Sequence, residues 1–202
     1  LSCANIPKLS GYTAICSDHS GSMTQRPISA KSTIYPRTIA DILAGIADKL
    51  CERSISVIFS EGWEVFNPSP RDGVISNAKR ANAVDTGSGT WNPIMTEFIN
   101  RKISVDRIVV FTDEMIYQNM SRYGQPVSPA MELARYRQLV NKDVRFYMVN
   151  LVGYGTTVAP LDDPRNVGIT GWSEKIFQYI PLYESSSIGV IDQIRQYGKP
   201  KA

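Results

Sequence analysis

The stretch DRIVVFTDE (106–114) sets four consecutive apolar residues, Ile108 to Phe111, between charged ends. A strand that is apolar at every position has no face to offer water, so it belongs inside a sheet covered on both sides. Three further runs, YTAICS (12–17), ISVIFS (55–60) and VRFYMVNLV (144–152), have the same character. EVFNP (64–68) reads as a short edge strand because prolines follow it, and VGITGW (167–172) as another short strand. Between the first two runs lies PRTIADILAGIADKLCERS, where Ile39, Ile42, Leu43, Ile46 and Leu50 recur at spacings of 3, 1, 3 and 4. That is one apolar helix face. Helices are also predicted over 72–82, through Ile94, Met95, Phe98 and Ile99, over 130–141, from a Ser173 cap to Ile180, and over 186–197. Strand and helix alternate throughout. The pattern predicts an α/β fold with a mostly parallel central sheet and helices on both faces.

At 202 residues, 43% hydrophobic and 20% charged, the chain is predicted to be one globular domain spanning 1–202. No run approaches the roughly 18 apolar residues of a spanning helix, and LSCANIPKLS lacks the organisation of a signal peptide. The expectation is a soluble cytoplasmic segment, without a membrane partner, cut from a longer protein. A net charge of +3 allows an RNA or acidic partner without requiring one. Cys3, Cys16 and Cys51 make an odd count with no paired spacing, which predicts reduced thiols.

Ligands of an open parallel sheet bind outside the carboxyl ends of its strands. Three polar clusters are expected on that edge. CSDHSGSMT (16–24) brings Asp18, Ser20 and Ser22, DTGSGT (85–90) brings Thr90, and VVFTD brings Asp113. Thr86 competes with Thr90, but Thr90 has glycines before it and stands where a helix is predicted to begin. Two carboxylates balance one divalent ion, and three hydroxyls add oxygen without charge, which suits Mg²⁺ or Mn²⁺. Taken singly, each element has an ordinary role as an Asx turn, a Ser turn or a helix cap.

This combination resembles the metal-ion-dependent adhesion site of von Willebrand factor type A (vWA) domains. In that pattern Asp-x-Ser-x-Ser follows the first strand, a Thr lies in a glycine-rich loop and an Asp follows the fourth strand. DHSGSMTQRP, GSGTWNPIM, VFTDEM and PLDDPRNVGITGWSEKIFQYI further resemble the C-terminal domain of the Ro autoantigen (TROVE) family. The resemblance implies a Rossmann-like vWA fold and a non-catalytic module of an RNA-binding ribonucleoprotein component. It implies a Mg²⁺ or Mn²⁺ site at Asp18, Ser20, Ser22, Thr90 and Asp113 that captures a carboxylate from a protein or other ligand. RNA would bind through a helical-repeat part absent from this chain. His19, Trp91 and the loop EMIYQNMSRYGQPVS depart from the family pattern.

The alternatives are a structural vWA domain whose metal site is vestigial and a metal-dependent hydrolase. A serine hydrolase has little support, because His19 is the sole histidine and adjoins Ser20 too closely to serve it as a base. His19 is expected to be an exposed loop residue. Arg71, Lys79 and Arg80, and likewise Arg135, Arg137, Lys142 and Arg145, form candidate RNA-facing patches whose ordinary role is a solvated face. The Met and Tyr residues of the 115–123 loop are placed to grip a partner or to pack locally.

Overall fold

The computed structural model describes residues 6, 8–87, 94–115, 119–120, 126–153 and 161–185. Its elements run β1 (Leu9–Asp18), α1 (Ser22–Gln25), α2 (Pro36–Leu50), β2 (Cys51–Phe59), β3 (Trp63–Phe66), α3 (Val74–Asn82) and α4 (Ile94–Asn100). They continue with β4 (Arg107–Thr112), β5 (Asn119–Met120), β6 (Pro126–Val127), α5 (Pro129–Leu139), β7 (Arg145–Asn150), β8 (Asn166–Thr170) and α6 (Ile176–Ser185). Six strands form one sheet in the order β3-β2-β1-β4-β7-β8. All neighbours are parallel except β3, which runs antiparallel to β2 at the edge.

Period-two alternation in the central strands divides the core between two faces. Ile15, Val109, Phe111, Tyr147 and Val149 point to one side, where Leu43 and Ile46 of α2 and Phe177 and Ile180 of α6 cover them. Ala14, Cys16, Val110, Phe146 and Met148 point to the other, against Met95 and Phe98 of α4 and Leu133 and Tyr136 of α5. All six residues of β4 are buried, as a central strand apolar on both faces requires.

Several boundaries differ from the sequence reading. β1 starts three residues early, across a bulge between Leu9 and Tyr12. Gly11 sits there at φ +78, and a Cβ on it would stand 2.5 Å from Asp106 Oδ2. That carboxylate accepts from Tyr12 N at 2.7 Å. Only glycine combines this backbone angle with so close an approach. The 114–128 segment, read as a loop, contains the short β5–β6 pair. α6 starts later than the Ser173 cap predicts and runs to Ser185 through Pro181. Ser173 Oγ instead accepts from Lys175 N at 3.3 Å in the turn before the helix. The helix expected over 186–197 lies outside the described residues.

Cys16 and Cys51 are free and buried, and burial pushes both thiols up from their ordinary value. Cys3 lies outside the described residues. Among the described residues no helix is long and apolar enough to cross a membrane.

Candidate metal centre

The sheet order places β2 on one side of β1 and β4 on the other. The strand order therefore reverses between β1 and β4, and the crevice above the carboxyl ends of these two strands is the expected ligand position of an open parallel sheet. Ser17 pairs with Phe111 across these strands, so Asp18 and Thr112 end them side by side. Asp18 and Asp113 are 2% and 1% exposed. Ser20 is buried in the turn that follows β1, and Ser22 opens α1.

Short bonds hold these groups. Asp18 Oδ1 accepts from Ser20 N at 2.8 Å, and Oδ2 accepts from Thr112 Oγ1 at 2.6 Å. The Ser20 and Ser22 hydroxyls lie 3.1 Å apart. Asp113 Oδ1 accepts from Met115 N at 3.0 Å, and Thr112 Oγ1 accepts from Glu114 N at the same distance. Both aspartates therefore form the Asx turns that their sequence context allows. Both are also buried at the same sheet edge. Burial raises the Asp18 carboxyl to about 6, against the bonds from Thr112 and Ser20, and the Asp113 charge pushes it further up. Burial likewise lifts Glu114 to about 7, opposed by a bond from the Asn150 side chain and helped by Asp113. Glu114 stands at φ +57, a left-handed backbone that is uncommon outside glycine.

Asp18, Ser20, Ser22 and Asp113 thus share one edge, and Thr90 lies outside the described residues, as do Trp91 and most of the 115–123 loop. Thr86 is engaged elsewhere, since Ser60 Oγ donates to its carbonyl and lies 2.9 Å from its Oγ1. Among the described residues no three His, Cys, Asp or Glu side chains gather as a metal-binding group. The donors present are two carboxylates and two hydroxyls, all hard oxygen. This chemistry fits Mg²⁺ or Mn²⁺ and not a thiolate- or imidazole-bound metal.

His19 is 2% exposed, in contrast to the exposed loop residue expected from sequence. Its Nε2 lies 2.8 Å from Asp41 Oδ1 of α2. Sequence reading passed over Asp41, Thr112 and Glu114. Thr112 and Glu114 flank Asp113 in FTDE and have no periodic signal of their own, while Asp41 interrupts an apolar helix face and reads as a solvated position.

Of the basic clusters, Arg80 and Arg137 have partners within the protein, while Arg71, Lys79, Arg135 and Lys142 are exposed. Arg80 lies over the Phe66 ring and 3.7 Å from Asp72. Arg137 bonds to Val144 O, Asn166 Oδ1 and Asp163.

A six-stranded α/β sheet with an Asp-x-Ser-x-Ser turn after its first strand and an aspartate directly after β4 is the vWA class of domain. The sequence profile of the Ro60 vWA domain matches residues 13–183, and the chain belongs to that family. The family is a non-catalytic one. The fold is similar to the Ro (RSR) protein of Deinococcus radiodurans, with a TM-score of 0.63 and 18% identity over 89% of this chain. This chain spans 35% of that protein. It is also similar in fold to proximal thread matrix protein 1 of the mussel byssus, at TM-score 0.52 and 11% identity, covering 87% of this chain and 47% of that one. No curated protein sequence matches.

Proposed function

We propose that this domain is a non-catalytic interaction module of a longer cytoplasmic Ro-type protein. We propose further that Asp18, Ser20, Ser22, Thr90 and Asp113 hold a divalent cation, Mg²⁺ or Mn²⁺, that captures an acidic group. The observation that carries this reading is the pair of buried carboxylates, Asp18 and Asp113, at one sheet edge, where burial and to a lesser degree the Asp113 charge drive Asp18 toward its neutral form. A bound cation reverses that penalty, because it favours the ionised carboxylates. Two carboxylates formally balance its charge, but the remaining ligands are three neutral hydroxyls, which leave the ion electrophilic enough for an open coordination position to take one further anionic oxygen.

A specific observation favours a second reading, a structural vWA domain with a vestigial site. Both Asp18 oxygens and Asp113 Oδ1 already have protein donors, and the described groups form a self-contained turn network. As it stands, that network matches the vestigial reading better, because it needs no ion. The two readings part in solution. A glutamate-rich peptide immobilised on a sensor surface should retain the domain in Mg²⁺ and release it in EDTA. The Thr90→Ala variant should be retained several-fold less while unfolding at the same urea concentration. Equal retention with and without EDTA leaves the vestigial reading in place.

RNA is assigned to the part of the parent chain outside this segment. With a net charge of +3, and with Arg137 bonded to Asp163 and Arg80 over the Phe66 ring, this chain should bind single-stranded RNA only weakly, with a shallow salt dependence. Submicromolar binding at physiological salt in a filter assay would contradict that division of labour.

A further inference from the structure

Asp41 is a carboxylate on the inner side of an otherwise apolar helix face, 1% exposed. Its Oδ1 accepts from Ser17 Oγ at 2.9 Å and meets His19 Nε2 at 2.8 Å, and its Oδ2 accepts from Asn82 Nδ2 at 3.1 Å. A carboxylate offers only acceptors, so the Nε2 of His19 carries the proton and donates. His19 Nδ1 is buried without a partner among the described residues, which leaves the bond to Asp41 to set the ring's orientation.

These bonds tie the Asp18–Ser22 turn, which carries candidate ligands, to α2 and to the end of α3. His19 stands between Asp18 and Ser20, and it is held twice, by its ring on Asp41 and by its main-chain N on Phe59 O at 2.7 Å. Asn82 ends α3. Arg37 of α2 donates to the carbonyls of Asn82 at 2.6 Å and Val84 at 3.0 Å, and Gly62 N donates to Thr86 O at 2.9 Å. α2 thus grips the turn and the end of α3, through Asp41 and Arg37.

We propose that Asp41 and His19 are positioning residues for the cation site, clamping the Asp18–Ser22 turn, which carries three of its ligands, to α2 and to Asn82 at the end of α3. This rests on the cation reading above. Magnesium demands near-ideal octahedral geometry, so a ligand turn that shifts by a fraction of an ångström loses affinity even when the fold is intact. Groups that orient ligands from behind typically account for 10–100-fold in metal affinity. A clamp that served the core alone would alter stability and leave affinity unchanged.

The test measures Mn²⁺ binding to the 202-residue chain by electron paramagnetic resonance, with urea unfolding alongside. His19→Leu and Asp41→Asn should each lose about 10–100-fold in Mn²⁺ affinity. His19→Gln, which keeps an amide donor near the place of Nε2, should stay within about 3-fold of the parent chain. Asn82→Ala cuts one bond at the margin of the network, leaves the core untouched, and should also weaken Mn²⁺; it decides the matter if Asp41→Asn does not fold. Folded His19→Leu and Asn82→Ala variants with the parent's affinity would overturn the clamp while leaving the cation site standing. A parent chain that binds no Mn²⁺, with Asp113→Ala indistinguishable from it, would overturn both.

Discussion

Mg²⁺ at about 100 times its dissociation constant should stabilise the domain by about 2.7 kcal/mol at about pH 7.5, and Asp113→Ala should abolish the gain. The dependence on pH is the more decisive part. The folded Asp18 carboxyl lies near 6, above its unfolded value of 3.8, so the folded state holds that proton more tightly. Without metal, this group's contribution is therefore fully present below about pH 4 and is lost as pH rises through about 6. Raising a carboxyl from 3.8 to about 6 corresponds to a loss on the order of 3 kcal/mol across that window. Glu114, near 7 when folded, adds a decline of the same sign that starts near 4.5, so Glu114→Gln is the background in which to isolate Asp18. Mg²⁺ competes with the proton. Its stabilising effect should be absent near about pH 4.5 and complete above about pH 7, flattening the decline. Urea unfolding at half-unit pH intervals reads both curves, and identical slopes with and without Mg²⁺ would remove the cation reading.

The second large effect lies at the opposite end of the sheet. Arg107 begins β4, its side chain 5% exposed, and forms a two-pronged pair with Glu184 of α6 through Nε at 2.9 Å and an Nη at 2.6 Å. The same guanidinium donates to Ser10 O at 2.6 Å and Thr13 Oγ1 at 2.9 Å, and Tyr147 Oη donates to Glu184 at 2.9 Å. The pair pins the last described helix to three strands. Glu184→Ala leaves a buried guanidinium without its counter-charge and should cost about 3–5 kcal/mol in urea unfolding. An apolar replacement of both partners, Arg107→Met with Glu184→Leu, should recover most of that loss, because burying the pair had cost nearly as much as it gained. A loss below about 1 kcal/mol in Glu184→Ala would mean that the pair is solvated and that α6 is held by its apolar face alone.

Local patterning settled the class of fold, since each element's period is written in its own residues. Ile39, Leu43, Ile46 and Leu50 make α2 wherever it is placed, and Ile108 to Phe111 make a strand that only the middle of a covered sheet can accept. That Asp18, Ser20, Ser22 and Asp113 would lie at one edge was legible for a related reason: the rule that ligands gather at the carboxyl edge ties a residue's position in its strand to its position in space. What depended on the tertiary structure were the pairings between elements. No pattern within the chain says that Thr112 will donate to an aspartate 94 residues earlier, or that Arg107 will meet Glu184, 77 residues later. His19 and Asp41 show the difference most sharply. Each alone reads as a polar residue for solvent, and only the packing of α2 against the first turn buries both and joins them in a hydrogen bond that the sequence neighbourhood of neither predicts.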